Sequence, residues 1–302
     1  MQTATRKRRI WAKVLAVALV VLIVAYLGIS VYVADKLSHP TRKSLTTDPS
    51  KYGMQYENVD FSSTVDNVPL KGWFIDTPGT TRTLLVMHGR NSTKDNRIDM
   101  EVMQGLTARG YDIFTFDFRA HGDSGGDRYS LGPWETRDVA GALAWLKGHG
   151  VDHVGALAYS MGAATEILSA PDHPEMTALV LDSPFSDLPA LLDKELPRAS
   201  GLPGFFNPGI LLMGQLVFGL NLLDTKPVRQ IAELKERPIF LIHGDADQLV
   251  PVAQAYELQK AASGDPNFTL WIVPGAAHVG SFDVNKQEYL TRVGDFFDKN
   301  LK

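Results

Sequence analysis

Cysteine is absent from the 302-residue sequence. The chain therefore has no disulfide framework, no thiolate zinc site and no cysteine nucleophile. Basic residues are fewer than acidic ones, with 30 Lys and Arg against 34 Asp and Glu. The first 13 residues hold five of the basic side chains and no acidic one, so the rest of the chain carries 25 against 34. This balance argues against nucleic acid as a partner.

Charged side chains are also absent from residues 14–34, a run of 21 residues. A helix of this length is about 30 Å long, which matches the hydrocarbon core of a bilayer. We predict a single-pass anchor here, preceded by a basic tail over residues 1–13 and followed by a polar linker over residues 35–52. The excess of positive charge before the run favours a cytoplasmic N-terminus and an extracytoplasmic remainder. The alternative is a cleaved signal peptide, whose apolar core is typically shorter, about 7–15 residues.

Residues 53–302 show apolar strand-like segments alternating with helical ones. Two strands at 55–62 and 69–75 are separated by Asp66-Asn67, a hairpin signal. The strands that follow are predicted at 83–88, 112–116, 154–159, 178–181, 239–243 and 268–273. Alternating strands and helices form a mostly parallel sheet with helices on both faces, so the sequence predicts one large α/β domain.

A serine lies where strand 154–159 gives way to the helical segment 161–169. Ala158 and Gly162 stand two positions on either side of Ser160. At a sharp strand-to-helix turn the two backbones nearly touch, so only small residues fit at these positions. The N–H of Met161 would then lie at a helix N-terminus, where it can face an oxyanion. The pattern predicts a nucleophile elbow.

The segment Ala158-Tyr159-Ser160-Met161-Gly162 resembles the G-x-S-x-G motif of the α/β-hydrolase family, with alanine at the first glycine. The resemblance covers roughly residues 53–300. Within the family, the chain is similar to bacterial membrane-anchored hydrolases of the lysophospholipase and serine-aminopeptidase types. It implies the α/β-hydrolase fold with a helical cap and a Ser-His-Asp triad. It implies no cofactor and no metal.

The family order, Ser then acid then His, requires a histidine downstream of Ser160. Three residues qualify: His173, His243 and His278. His278 follows the last predicted strand in a loop of small residues, which can bring an imidazole over the serine. We therefore predict His278 as the base, with His243 as its rival.

The acid is predicted from the segment after the strand at 239–243. His243-Gly244-Asp245-Ala246-Asp247 resembles the family's acid loop, whose second aspartate, here Asp247, belongs to the triad. Asp245 is expected to hold the turn. The alternative acid is Asp182, at the end of the strand after the elbow.

The oxyanion hole needs two backbone N–H groups. Met161 is predicted to supply one. By resemblance the loop after His88-Gly89 supplies the other, from Arg90 or alternatively from Asn91. A second loop, residues 117–124, resembles the family segment D-x-R-G-H-G-x-S, and we interpret its Asp117 and His121 as a hydrogen-bonded network beside the site.

Residues 185–236 form an insertion where the family carries its cap. Within residues 201–223 there is no Asp, Glu, Lys or Arg. This stretch is either a lid over an acyl pocket or a set of helices packed on the sheet. A pocket covered by it is expected to prefer the acyl chain of a substrate over a charged head group.

The sequence therefore predicts a membrane-anchored serine hydrolase that cleaves carboxylic esters or related small acyl compounds. Two alternatives remain: a serine peptidase or amidase of the same fold, and a catalytically inactive binding module. The sequence carries no signal of oligomeric state.

Overall fold

The computed structural model describes residues 2–234 and 236–301. Its first element is helix α1 (Gln2–Ser38), which extends beyond the predicted anchor at both ends. By length and composition Arg6–Ser38 is able to cross a membrane, and a signal sequence would have the same properties. Residues 6–25 are exposed along the whole stretch, although residues 14–25 are entirely uncharged.

An eight-stranded sheet forms the centre of the protein. Its strands are β1 (Glu57–Ser62), β2 (Pro69–Ile75), β3 (Thr83–Met87), β4 (Asp112–Phe116), β5 (Val154–Tyr159), β6 (Met176–Asp182), β7 (Ile239–Gly244) and β8 (Phe268–Val273). They lie in the order β1-β2-β4-β3-β5-β6-β7-β8. Strand β2 is antiparallel to β1 and β4, and the other neighbours are parallel. The predicted mostly parallel sheet is confirmed.

Strands β3, β4 and β5 are the fully buried centre of the sheet. Met87 is in register with Phe116 on one side and with Ala158 on the other. Because these strands are parallel, their carboxyl ends meet at one edge, where ligands bind in open α/β sheets. The loops that follow them therefore share that edge with the serine after β5.

Helices cover both faces of the sheet. The helices that follow α1 are α2 (Arg97–Thr107), α3 (Glu135–Gly148), α4 (Met161–Ser169), α5 (Leu188–Ser200), α6 (Asn207–Phe218), α7 (Pro227–Gln230), α8 (Ala253–Ala261), α9 (Ser281–Val284) and α10 (Lys286–Asn300). Helices α3, α4 and α8 contribute to one apolar core. Helices α2 and α10 contribute to a second core.

The insertion over residues 185–236 contains helices α5, α6 and α7, as expected from the helical cap that the resemblance implied. Asp187 caps the start of α5, because its carboxylate accepts the Ala190 N–H at 2.9 Å. It ends at Gly201, and α6 ends at Gly219, both with φ near +71°, a conformation that glycine adopts without strain. Gly201 and Gly219 therefore mark the ends of the two helices.

The last turns of α1 pack on this insertion. Val33 and Ala34 belong to a third apolar cluster, which we call the cap cluster. Its other buried members are Ala164, Phe185, Leu188, Leu191, Leu192, Leu196, Ile210, Leu211, Leu220, Leu222 and Val250. The linker is also attached, because the Thr46 N–H donates to Asp95 Oδ2 at 2.6 Å. The predicted boundaries at residues 35 and 53 stay a prediction.

Candidate active site

Ser160 lies between β5 and α4 in a strained conformation, with φ +51° and ψ −114°. A Cβ atom on Gly162 would lie 2.6 Å from the His88 carbonyl oxygen, so the turn requires glycine there. Ala158 is fully buried at the end of β5, and its methyl group fits the position. The local geometry is that of a nucleophile elbow, with the serine side chain at the apex.

His278 reaches the serine from the loop after β8. Its Nε2 lies 2.7 Å from Ser160 Oγ, and its Nδ1 lies 2.7 Å from Asp247 Oδ2. A carboxylate only accepts hydrogen bonds, so Nδ1 carries the proton and Nε2 is free to accept the serine hydrogen. The structure thus joins the three predicted triad residues in one hydrogen-bonded chain.

The His278 loop is held against the loop of the acid. The Gly275 N–H donates to Asp245 Oδ1 at 2.6 Å. A Cβ on Gly244 would lie 2.1 Å from the Ala276 carbonyl oxygen, so the two loops approach as closely as glycine allows. Asp245 therefore holds the turn, which is the role that the sequence indicated for it.

Asp247 is held from both sides. Its Oδ1 accepts the backbone N–H groups of Leu249 and Val250 at 2.9 and 2.8 Å. Burial raises the pKa of Asp247, but hydrogen bonding from His243 and His278 outweighs it and leaves the pKa below its usual range. The carboxylate is consequently ionised, as an orienter of an imidazole must be.

The two rivals occupy other roles in the structure. His243 is fully buried behind the acid, with Nε2 2.8 Å from the Val250 carbonyl oxygen and 3.4 Å from Asp247 Oδ2. Asp182 accepts the Tyr289 hydroxyl at 3.0 Å, and burial raises its pKa. Within the described residues, Asp182 makes no hydrogen bond to His278. The role of His243 beneath the acid was not foreseen from the sequence.

The backbone N–H groups predicted to face an oxyanion are those of Met161 and of Arg90 or Asn91. Met161 is the first residue of α4, so its N–H has no partner within the helix. The Asn91 N–H donates to His121 Nε2 at 3.2 Å, whereas the Arg90 N–H has no acceptor among residues 2–234 and 236–301. This arrangement favours Arg90 over Asn91 as the second oxyanion donor.

The loop over residues 117–124 braces the oxyanion loop. His121 Nδ1 lies 2.8 Å from the Arg119 carbonyl oxygen, which fixes the tautomer that accepts from Asn91. Burial lowers the pKa of His121, so the ring is neutral at pH 7. Asp117 is fully buried, and its Oδ2 accepts a hydrogen bond from the ammonium group of Lys94 at 2.5 Å. Both residues therefore form the network that the sequence indicated.

A cleft of about 700 Å³ opens above the serine. Ser160, His278 and the loop after β3 line one side of it, and helix α5 lines another. Charged side chains reach it from four different segments: Lys43, Arg90, Glu195 and Arg198 line the cleft together with the buried Asp99. These residues lie outside the uncharged stretch at residues 201–223, so the sequence did not indicate a charged cleft. Over the described part of the chain, no group of His, Asp or Glu is arranged to hold a metal ion.

Comparison with known proteins agrees with this geometry. A family model described as alpha/beta hydrolase fold matches residues 82–211. An uncharacterized protein of Bacillus subtilis, YqkD, is 27% identical over 235 residues, which are 76% of this chain and 75% of that protein. The lysophosphatidylserine lipase ABHD12 of Gallus gallus is 30% identical over 207 residues, covering 65% of this chain but only 51% of that protein.

Among solved structures, the Pyrococcus furiosus esterase Pf2001 is similar with a TM-score of 0.74 and 29% identity. The match covers 88% of this chain and 98% of the esterase. The α/β-hydrolase fold that the sequence resemblance implied is therefore confirmed.

Proposed function

We propose that this chain, an α/β hydrolase by fold, is a serine hydrolase that cleaves carboxylic esters or related acyl compounds. The observation that carries the proposal is the hydrogen-bonded chain from Ser160 through His278 to Asp247. An esterase and a lysophosphatidylserine lipase among the similar proteins agree with an acyl substrate. We assign residues 53–302 to the hydrolase domain and residues 185–236 to its cap.

The geometry supports a two-step acyl transfer. Ser160 Oγ attacks the carbonyl carbon of the ester while its proton passes to His278 Nε2. The carbonyl oxygen becomes an oxyanion, which the N–H groups of Met161 and Arg90 stabilise. The intermediate collapses as the C–O bond breaks, and His278 returns the proton to the departing alcohol. Water then repeats the sequence on the acyl enzyme and releases the carboxylic acid.

Asp247 stabilises the imidazolium that forms in both steps. Its low pKa keeps it ionised when the ring becomes charged, so the charge pair forms without a further proton transfer. The strained backbone at Ser160 fixes the hydroxyl in place before the substrate arrives, which lowers the entropic cost of attack.

We further propose that α1 anchors the enzyme in a membrane, with residues 1–13 in the cytoplasm and the hydrolase domain outside. The exposed, uncharged stretch of α1 supports anchoring. The cap adds to the apolar surface, since Phe205, Leu212, Leu216 and Val217 are between 45% and 68% exposed on or beside a helix that packs along α1.

The test is chemical labelling of Ser160 with a fluorophosphonate in the folded protein. Ser160→Ala should abolish labelling and lower kcat on p-nitrophenyl esters by on the order of 10⁴ or more. Ser92→Ala is the matched control, because Ser92 lines the same cleft outside the triad and should still permit labelling. Unlabelled wild-type protein with a normal melting temperature would contradict the proposal and favour an inactive binding module.

A further inference from the structure

Helix α1 is in close contact with α6 of the cap. The Tyr26 hydroxyl donates to the Phe205 carbonyl oxygen and accepts the Gly209 N–H, both at 3.0 Å. A Cβ on Gly209 would lie 2.5 Å from Ser30 Oγ, so the side chains of α1 leave no room for a larger residue at this position of α6. The fully buried Ser30 also lies at this contact. Helix α1 is therefore part of the cap and is not a loose tether to it.

The end of α1 is also fixed to the hydrolase domain. Arg128 donates to Asp35 Oδ1 at 2.6 Å and to Ser38 Oγ at 2.8 Å. The Tyr129 hydroxyl donates to the Leu37 carbonyl oxygen at 2.9 Å, and its N–H donates to the Ser38 carbonyl oxygen. These contacts place one turn of α1 at a constant position beside the cleft.

A second, smaller cavity of about 50 Å³ lies between this turn and the cap. Ala34 and Leu37 of α1 form one side of it. Leu192 and Leu196 of α5 and Ile210 of α6 face them, so the lining is mostly aliphatic. An apolar cavity of this kind is suited to methylene groups, because it offers few polar partners for water.

The cavity adjoins the catalytic cleft. Five residues line both spaces: Arg90, Leu131, Leu192, Glu195 and Ala199. An apolar tail that leaves a carbonyl carbon at Ser160 towards Leu131 and Leu192 is therefore directed at the cavity beside α1.

We infer that the anchor helix forms the end wall of an acyl-chain pocket, so that Ala34 and Leu37 set the longest chain the enzyme accepts. This inference rests on the proposed function and names its substrate class, a single medium-length acyl chain in ester linkage. Each methylene buried in the cavity contributes about 0.8 kcal/mol, which is roughly a fourfold gain in binding or kcat/KM. The gain stops where the chain meets α1.

The test changes the size of the end wall in the full-length protein in detergent. Ala34→Phe fills the cavity and should move the optimum among p-nitrophenyl esters to shorter chains. Leu37→Ala enlarges it and should move the optimum to longer chains, by roughly fourfold for each added carbon that becomes buried. Ala25→Phe is the matched control, since Ala25 is exposed on the same helix and should leave the profile unchanged.

The same profile is measured as binding in the Ser160→Ala background, with dansyl-labelled fatty acids of increasing length. This readout separates the two proposals. Failure of the fluorophosphonate to label Ser160 in the wild-type protein overturns the triad, whereas the binding profile tests only the end wall of the pocket. Identical chain-length profiles for Ala34→Phe, Leu37→Ala and the wild type would overturn the inference. If Ala34→Phe lowers the melting temperature, Leu37→Ala decides the outcome.

Discussion

Replacing Asp247 with asparagine tests the proposed triad with the fewest other changes. Oδ1 of Asp247 accepts two backbone N–H groups, from Leu249 and Val250, so the amide oxygen of asparagine takes that position. The amide NH₂ is then directed at His278 Nδ1, 2.7 Å away. An NH₂ group only donates, so Nδ1 must accept and the ring proton moves to Nε2, which faces Ser160.

In this tautomer the imidazole cannot take the serine proton. Triads with an amide in place of the acid lose about 10⁴ in kcat, which corresponds to about 5.5 kcal/mol in transition-state stabilisation. The loss should appear equally in the rate of fluorophosphonate labelling, because that reaction also needs an activated serine. The melting temperature should change little, since the oxygen side of the amide keeps both backbone hydrogen bonds.

Asp182→Asn is the control for this experiment. Asp182 is buried and bonded to Ser183 and Tyr289, so its replacement should cost stability more than kcat. The reasoning would be refuted if Asp247→Asn kept more than a tenth of wild-type kcat, or if Asp182→Asn caused the larger loss.

Two further predictions concern stability and topology. Burial, aided by the nearby His121, lowers the pKa of His88 to about 4. The neutral ring therefore contributes stability above pH 6.5, the unfolded value, and this contribution of about 3 kcal/mol is lost as the pH falls towards 4. Urea unfolding at several pH values should show that the free energy of unfolding falls less steeply with falling pH in His88→Asn than in the wild type. The exposed His149→Gln should keep the wild-type pH dependence. The same pH dependence in all three proteins would contradict the assignment of this effect to His88. Protease added to intact cells without a wall should digest the hydrolase domain, and protection until lysis would reverse the proposed topology.

The sheet and the serine turn were predictable because their signals are local. Strands β4, β5 and β8 have the residue limits that the apolar runs indicated. Ser160 was identified by the small residues around it, since their spacing reflects a steric limit within a single turn. His278 was chosen over His243 by its place after the last strand, and the structure brings it to Ser160.

The choice between Arg90 and Asn91 was not predictable. Neighbouring residues of one loop carry identical N–H groups, and only the hydrogen bond from Asn91 to His121 distinguishes them. His121 lies 30 residues further along the chain. The position of His243 was also not predictable from the sequence, because its place beneath Asp247 depends on how the loop after β7 folds back.

The charge lining the cleft was invisible for a related reason. Lys43, Arg90, Glu195 and Arg198 come from the linker, the oxyanion loop and α5, so no single stretch of sequence displays them together. The uncharged stretch at residues 201–223 was identified correctly, but helix α5 is the part of the cap that faces the serine. An acyl ligand in this cleft would thus have charged side chains near its head and the cap cluster near its tail.

The docking of α1 shows why hydropathy alone could not separate an anchor from a structural helix. A helix that is apolar on every face is able to lie in lipid, and nothing in its hydropathy says which face contacts protein. Residue size indicates which face of the helix contacts protein, because helices that associate closely carry small residues at the contact. Ser30 and Ala34 are four residues apart, on one face of α1, and Gly209 and Gly214 lie opposite them on α6. Removing residues 1–52 to obtain a soluble enzyme would therefore uncover the cap cluster and remove the end wall of the pocket, so acyl-chain selectivity has to be measured on the full-length chain.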